Sequence, residues 1–237
     1  MLKVSCPPDP ALVRLLSRHP RVKLASEHSA HVEIDQDGWQ RTLAVGNPNI
    51  EVAGLVELMD NNPMVCGDAV SVPGPVATLA LVALGPLVRA GILLEEPVMQ
   101  VGGASEGEDV DGFLKTMGWD QGVAVSYGKE DFGGVVAANV VAEIATPGNW
   151  EEIDELFREC YARSFYVEES TDAPWDISLV KGTPMALYRL AYTPGDASSL
   201  LTVQVMADRE GKCGATQVVH ALNVMCGFEE CDGIPGL

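Results

Sequence analysis

Apolar residues alternate or cluster from the first positions of this chain. The stretch "LKVSC" reads as a short strand. "PALVRLLSRHP" places Leu12, Val13, Leu15 and Leu16 on one helical face, and "RVKLAS" forms a second strand. From Arg41 the pattern predicts a buried strand in "TLAVGNP" and a helix in "IEVAGLVELMDNN", with Val52, Leu55, Val56 and Met59 on one side. A further strand is expected in "PMVCGDAV". Then comes "SVPGPVATLALVALGPLVRAGIL", apolar nearly all round from Val76 to Leu84, which marks a buried helix. Pro75 suits its first position, Pro86 is expected to kink or end it, and Gly91 to turn the chain.

Beyond Gly91 the period changes. "PVMQVGG", "GVAVSY", "FGGVVAANVVAEIAT", "DISLVKGTPMALYRLAY" and "SLLTVQVMAD" read as longer strands, the last two joined by the hairpin loop "TPGDAS". One helix interrupts them, "NWEEIDELFRECYARSF", with Asn149 as its N-cap, Glu152 at the capping-box position and a stripe of Ile153, Leu156, Phe157 and Cys160. The final helix, "GATQVVHALNVMCGF", ends at Gly227, with Phe228 placed for the contact that accompanies a glycine C-cap. The expected class is α/β plus α+β: a reduced Rossmann-like lobe over residues 1–74, with 214–237 packing back on it, and a mixed or antiparallel sheet lobe over 75–213.

Composition narrows the functional classes. A net charge of −19, from 34 acidic and 15 basic residues, repels phosphate backbones and anionic lipid surfaces, so neither nucleic acid nor membrane is an expected partner. The apolar runs are broken well before roughly 18 residues. "MLKVSCPPDP" lacks the apolar core of a signal peptide, and a cytoplasmic location is expected. The six cysteines show no repeated CxxC spacing and are expected to be reduced thiols.

Chemistry-bearing candidates are few. A Rossmann unit normally turns on glycines that admit a pyrophosphate, but here the turn is "CPPDP" and the first glycine of the chain is Gly38. Cys66 and Cys213 are weak nucleophile candidates. Cys66 is expected as a buried thiol at a strand end, and Cys213 draws interest because it precedes a helix, whose N-terminus lowers thiol pKa. His28 and His31 lie near Glu27 and Glu33 but have no third ligand at metal spacing, so no metal site is expected. His220, among Val218, Val219 and Leu222, is expected to pack or hydrogen-bond within its helix. Glu106, Glu108, Asp109 and Asp111 make "GGASEGEDVDG" an exposed acidic loop, not a phosphate cradle.

Several of these stretches, in order, resemble the N-acetyl-gamma-glutamyl-phosphate reductases of the semialdehyde dehydrogenase group. "VPGPVATLALVALGPLVRAGIL" is similar to the family's Asn-Pro-Gly-Cys-Tyr-Pro-Thr segment and the helix that follows it. "ISLVKGTPMALYRLAY" resembles its strand entered through Arg/Lys-Gly, and "KCGATQVVHALNVMCGF" its Lys-Gly-Ala-Ala-Gly-Gln tail. The resemblance implies a sheet lobe like the C-terminal domains of glyceraldehyde-3-phosphate and semialdehyde dehydrogenases. It also implies NADPH-dependent reduction of an acyl phosphate through a cysteine thioester, with histidine as acid and base.

Carried over by position, the family's cysteine falls on Pro75 and its histidines on Ala138 and Val140. Nucleophile, acid/base pair and glycine-rich cofactor loop are missing together. The expectation is a catalytically degenerate relative without a cofactor. It would act as a regulatory or scaffold subunit, or bind a small metabolite, an anionic one among the options, in an old cleft formed by Gly74, Pro75, Thr78, Lys181, Gly182, Lys212, Gln217 and His220. The implied assembly is a homodimer or homotetramer, or a mixed oligomer with a full-length paralogue. The alternative is an enzyme of the superfamily with relocated groups, using Cys66 or Cys213 and then NADP.

Overall fold

The structure, a computed structural model, describes residues 1–171 and 174–236. Two six-stranded sheets organise it. The first holds β1 (Leu2–Ser5), β2 (Val22–Leu24), β3 (Val32–Gln36), β4 (Trp39–Val45), β5 (Val52–Ala53) and β6 (Ala69–Val72), in the spatial order β2-β1-β3-β4-β6-β5. It is continuous but mixed: β3 runs antiparallel to both β1 and β4, while β2 with β1, and β6 with β4 and β5, are parallel. The hairpin β3–β4 turns on Asp37 and Gly38, both at positive φ (54° and 90°), the geometry of a two-residue type I′ loop.

The second sheet, in the order β10-β11-β12-β9-β7-β8, holds β7 (Val98–Gly102), β8 (Ala124–Tyr127), β9 (Val135–Ala145), β10 (Val167–Glu169), β11 (Ala186–Thr193) and β12 (Ser198–Asp208). Its long antiparallel pairs are β11–β12 and β12–β9.

Six α-helices pack on these sheets among the described residues: α1 (Pro10–Arg18), α2 (Asn61–Cys66), α3 (Pro75–Ala90), α4 (Val110–Thr116), α5 (Trp150–Tyr161) and α6 (Ala215–Cys226). Two main apolar cores result. One joins α1, the first sheet and α6 through Leu12, Leu16, Ile34, Leu43, Val70, Val219 and Leu222. The other buries α3 against α4, α5 and one face of the second sheet, through Leu79, Val82, Phe113, Phe157, Val140 and Val203. No helix is long and apolar enough to cross a membrane among the described residues.

Three sequence expectations change here. The helix expected over "IEVAGLVELMDNN" is instead the two-residue β5, a 3-10 turn Val56–Leu58 and the start of α2, so "PMVC" is helix and not strand. The first half of "DISLVKGTPMALYRLAY" is a 3-10 turn, Ile177–Leu179, and the strand begins at Ala186. Pro86 neither ends nor breaks α3, which runs on to Ala90 and closes with Gly91 at φ 66°. A proline inside a helix strands the carbonyl four residues earlier. That carbonyl is Val82 O, and the buried Tyr161 hydroxyl donates to it at 2.9 Å. Burial pushes the Tyr161 phenol well above its ordinary range, so it remains a donor.

Candidate functional site

The resemblance directs attention first to the start of α3. Pro75 occupies its first position, and the free N–H groups of Val76 and Ala77 donate to a single carboxylate oxygen, Glu108 Oε2, at 2.9 and 3.1 Å. Gly74 is what permits this. A Cβ there would stand 2.7 Å from the same oxygen. A negative side chain therefore fills the helix terminus that would otherwise attract an anion.

The loop is exposed at Glu106, Asp109 and Asp111, as expected, and the reading is corrected at Glu108 alone. Glu108 is half-buried and caps α3, Asp109 caps α4 by accepting from Gly112 N at 2.8 Å, and Asp111 accepts from Val123 N at 3.0 Å.

Gln217 and Thr78 close in behind. Gln217 Nε2 donates to Pro73 O at 2.8 Å and to Thr78 Oγ1 at 3.1 Å, both buried. Cys213 arrives here too, its Sγ 3.7 Å from Pro75 O. Burial, and next the charge of Glu108, push this thiol far up, which leaves it a neutral hydrophobe instead of a thiolate. Cys66 is different from its expectation: it ends α2 and is exposed. Ala138 and Val140 point into the second core.

The remaining cleft candidates separate. Lys181 and Gly182 lie by the loop of Asp208, whose Oδ2 accepts from Gly182 N at 2.7 Å. Lys212 and His220 meet in a different place, on a residue the sequence did not single out, Glu57. Its side chain is 3% exposed and accepts from the fully buried Lys212 ammonium at 2.5 Å. His220 sits beside the same carboxylate, with Nδ1 3.7 Å from Glu57 Oε1, and its Nε2 is 2.7 Å from Glu230 Oε2.

Local structure fixes each member. Glu57 is carried on the 3-10 turn, whose Leu58 carbonyl accepts from Arg89 at 2.7 Å. His220 stands in the middle of α6, with Tyr166 edge-on at 4.7 Å. Glu230 is held because Asn223 Nδ2 and the Tyr166 hydroxyl both donate to its backbone carbonyl, at 3.0 and 3.2 Å. Burial alone would raise the Glu57 carboxyl. The Lys212 ammonium and His220 outweigh it, and the carboxyl is held below the ordinary carboxylate range.

A cavity of about 610 Å³ opens onto this group, lined by Glu57, His220 and Glu230 and rimmed by Asp60, Arg163 and Ser164, among others. Two buried atoms facing the network have no hydrogen-bond partner, Glu57 Oε2 and His220 Nδ1. A lone acid in the otherwise apolar run "GLVEL" was the available signal for Glu57, since a charge on a buried face implies a partner. No metal cluster forms among the described residues, and His28 is turned to Cys6 O at 3.3 Å.

No family model matches the chain. It is 29% identical over 99 residues to N-acetyl-gamma-glutamyl-phosphate reductase of Streptococcus sanguinis and 28% identical over the same length to that of Streptococcus gordonii. Each match covers 42% of this chain and 28% of the relative, so the chain matches well under a third of the length of these curated relatives. Among solved structures it is similar to aspartate semialdehyde dehydrogenase II of Vibrio cholerae, with a TM-score of 0.53 and 12% identity over 73% of this chain and 68% of that one. The fold is similar to that of this semialdehyde dehydrogenase.

Proposed function

We propose that this chain is a divergent relative of the semialdehyde dehydrogenases that has lost thioester chemistry and acts by binding, as a regulatory or scaffold subunit or as a small-molecule binder. The observation that carries this reading is the start of α3. A proline stands where the resemblance puts a nucleophile, and the Glu108 carboxylate takes the N–H donors that would hold an anionic substrate. A thiolate generated there would face that charge directly.

Titration with NADPH, followed by nicotinamide fluorescence, is expected to show no saturable binding up to millimolar concentration. A micromolar dissociation constant would overturn the reading. Mild alkylation at neutral pH separates it from the alternative enzyme. The exposed Cys66 and Cys231 are expected to label at the rate of ordinary thiols and the buried Cys213 to stay protected. A hyper-reactive Cys213 or Cys66 would favour relocated catalysis.

The second sheet supports a homo-oligomer. Its face away from α3 shows Val98 and Leu200, 54% and 46% exposed, around Gln100, Asn139, Val141, Thr202 and Gln204. In a chain of net charge −19 this central stretch, mostly apolar and amide side chains with one acid, Glu143, and one base, Arg189, on the same face, is suited to meeting a second copy of itself. Light scattering is expected to give a mass of at least twice the 25.2 kDa chain, and a concentration-independent monomer would contradict the assignment.

A further inference from the structure

We infer that the pocket between α1 and the turns at one end of the second sheet binds a small organic dianion, its charge carried by carboxylate or phosphate oxygens. The inference rests on the reading that the chain works by binding, and supplies the ligand class.

Topology builds the pocket. β12 lies between β11 and β9 and runs antiparallel to both, so the turn before β11, the end of β12 and the turn before β9 meet at one edge of the sheet. α1 closes over them from the other lobe and leaves a cavity of about 330 Å³, at the small end of the range of small-molecule sites. Gly134 and Gly182 put no side chain into it, and a Cβ at either would meet nothing within 4 Å.

The charge of this pocket runs against that of the chain. Arg14 and Arg18 reach it from α1 and Arg209 from the end of β12. Lys181 stands beside it, with Nζ 3.1 Å from where a Cβ on Gly133 would lie. Four of the 15 basic residues of a chain of net charge −19 therefore surround one small space. Its two acids are already engaged. Asp208 is 9% exposed and accepts from the Gly182, Glu210 and Gly211 amides at 2.7, 2.8 and 3.2 Å. Glu210 pairs with Arg14 at 2.8 Å, but both side chains are at least half exposed, and an exposed pair is weak enough to be exchanged for a ligand. Arg18 has no ion pair among the described residues.

An unused donor points to the same chemistry. Thr216, in the first turn of α6, lines the pocket and is only 5% exposed. Its amide donates to Glu210 O at 3.1 Å, whereas its hydroxyl has no hydrogen-bond partner among the described residues and is not sealed from solvent. A hydroxyl and guanidinium forks converging on one space donate to an oxyanion, and an ammonium ligand would meet the surplus of positive charge. Four cations against two acids call for two negative charges. Leu15, Pro184 and Pro235 add an apolar wall, which fits a short carbon skeleton better than a bare inorganic ion.

Calorimetric titration of the whole chain at fixed ionic strength with succinate, ethyl phosphate and acetate tests this. Saturable one-to-one binding of at least one dianion is expected, with acetate weaker by about tenfold for its single charge. Whichever dianion binds more tightly identifies carboxylate or phosphate as the source of the charge. Arg18→Gln removes a charge-assisted donor at an exposed position and is expected to weaken that dianion by about tenfold, and Thr216→Val, which removes a neutral one, by about threefold. Thr216 is buried, so Arg18→Gln keeps the test decisive if the valine variant fails to fold. Arg163→Gln, at the cavity beside Glu57, is expected to leave binding unchanged. Absence of saturable dianion binding, acetate binding as tightly as the dianions, or an equal loss in Arg163→Gln overturns the inference. None of these probes carries a nicotinamide or an adenine, so the NADPH titration decides the loss of the reductase chemistry separately.

Discussion

Replacing Lys212 by methionine is expected to cost about 3–5 kcal/mol, the scale for removing one partner of a buried ion pair. The remaining charge explains the size. Glu57 is 3% exposed, and without the ammonium at 2.5 Å its carboxylate keeps His220 and the Ser164 hydroxyl, at 3.4 Å, but no fixed cation beside it among the described residues. The stability of a whole domain is about 5–15 kcal/mol, so one substitution removes a large share. The double variant Lys212→Met, Glu57→Gln is expected to recover most of the loss, because the uncompensated charge and not the missing contact dominates.

The pH dependence carries a distinctive sign. In the native protein the Glu57 carboxyl is held below its unfolded value, so its contribution is complete above the unfolded pKa and fades as pH falls through the lower folded one. In Lys212→Met, burial acts with far less opposition and raises the folded pKa. The deficit then grows as pH rises from the unfolded value and shrinks in acid. Urea unfolding from about pH 4 to about pH 8 reads this directly, since unperturbed carboxylates titrate near the lower limit. A deficit that is constant across that range, or a double variant no more stable than the single, would refute the role given to Glu57.

Much of the fold was legible because local signals agreed with one another. In α6 the apolar face, Gly227 at φ 66° and the Phe228 N–H returning to Asn223 O at 2.9 Å all follow from "VVHALNVMCGF". In α5 Asn149 caps the helix by accepting from Glu152 N at 3.1 Å, as its spacing predicts. The failures are physical as well. Between Asn49 and Cys66 the elements are too short for a period to register. A two-residue strand, a 3-10 turn and a six-residue helix together mimic one amphipathic helix followed by a strand. The Asp37–Gly38 turn was a readable hairpin signal, but the glycine carried meaning only by its absence from the Rossmann turn.

At the candidate site the sequence supplied Lys212 and His220 but not what joins them. Glu57 precedes Lys212 by 155 positions, and only the closure of α6 over the 3-10 turn brings them together. Glu108 was misplaced for a related reason. Four acids in one loop predict solvation by composition, whereas the deciding term is the pair of orphan N–H groups of α3, which only tertiary structure places within reach of Glu108.

Arg41 presents the second large effect, at a place where it forms no salt bridge among the described residues and Asp68 acts on it only through its charge. It is 2% exposed on β4, and its guanidinium stacks over Trp39 at 4.3 Å. Nε donates to Gly67 O at 3.0 Å, Nη2 to Met64 O at 2.6 Å and Nη1 to Met225 O at 2.6 Å. Met64 and Met225 belong to the last turns of α2 and α6, whose final carbonyls have no partners within their own helices. One planar fork thus caps two helices from the middle of a sheet, where the negative ends of both dipoles favour its charge. Arg41→Met leaves three carbonyls without donors, two of them bonded at buried positions, and is expected to cost about 4 kcal/mol, at about 1–3 kcal/mol for each unsatisfied group. Arg41→Lys keeps the charge but cannot span three acceptors in different directions, so it should restore less than half of that loss. Full stability in Arg41→Lys would show that charge alone, and not the geometry of the fork, holds the two helix ends.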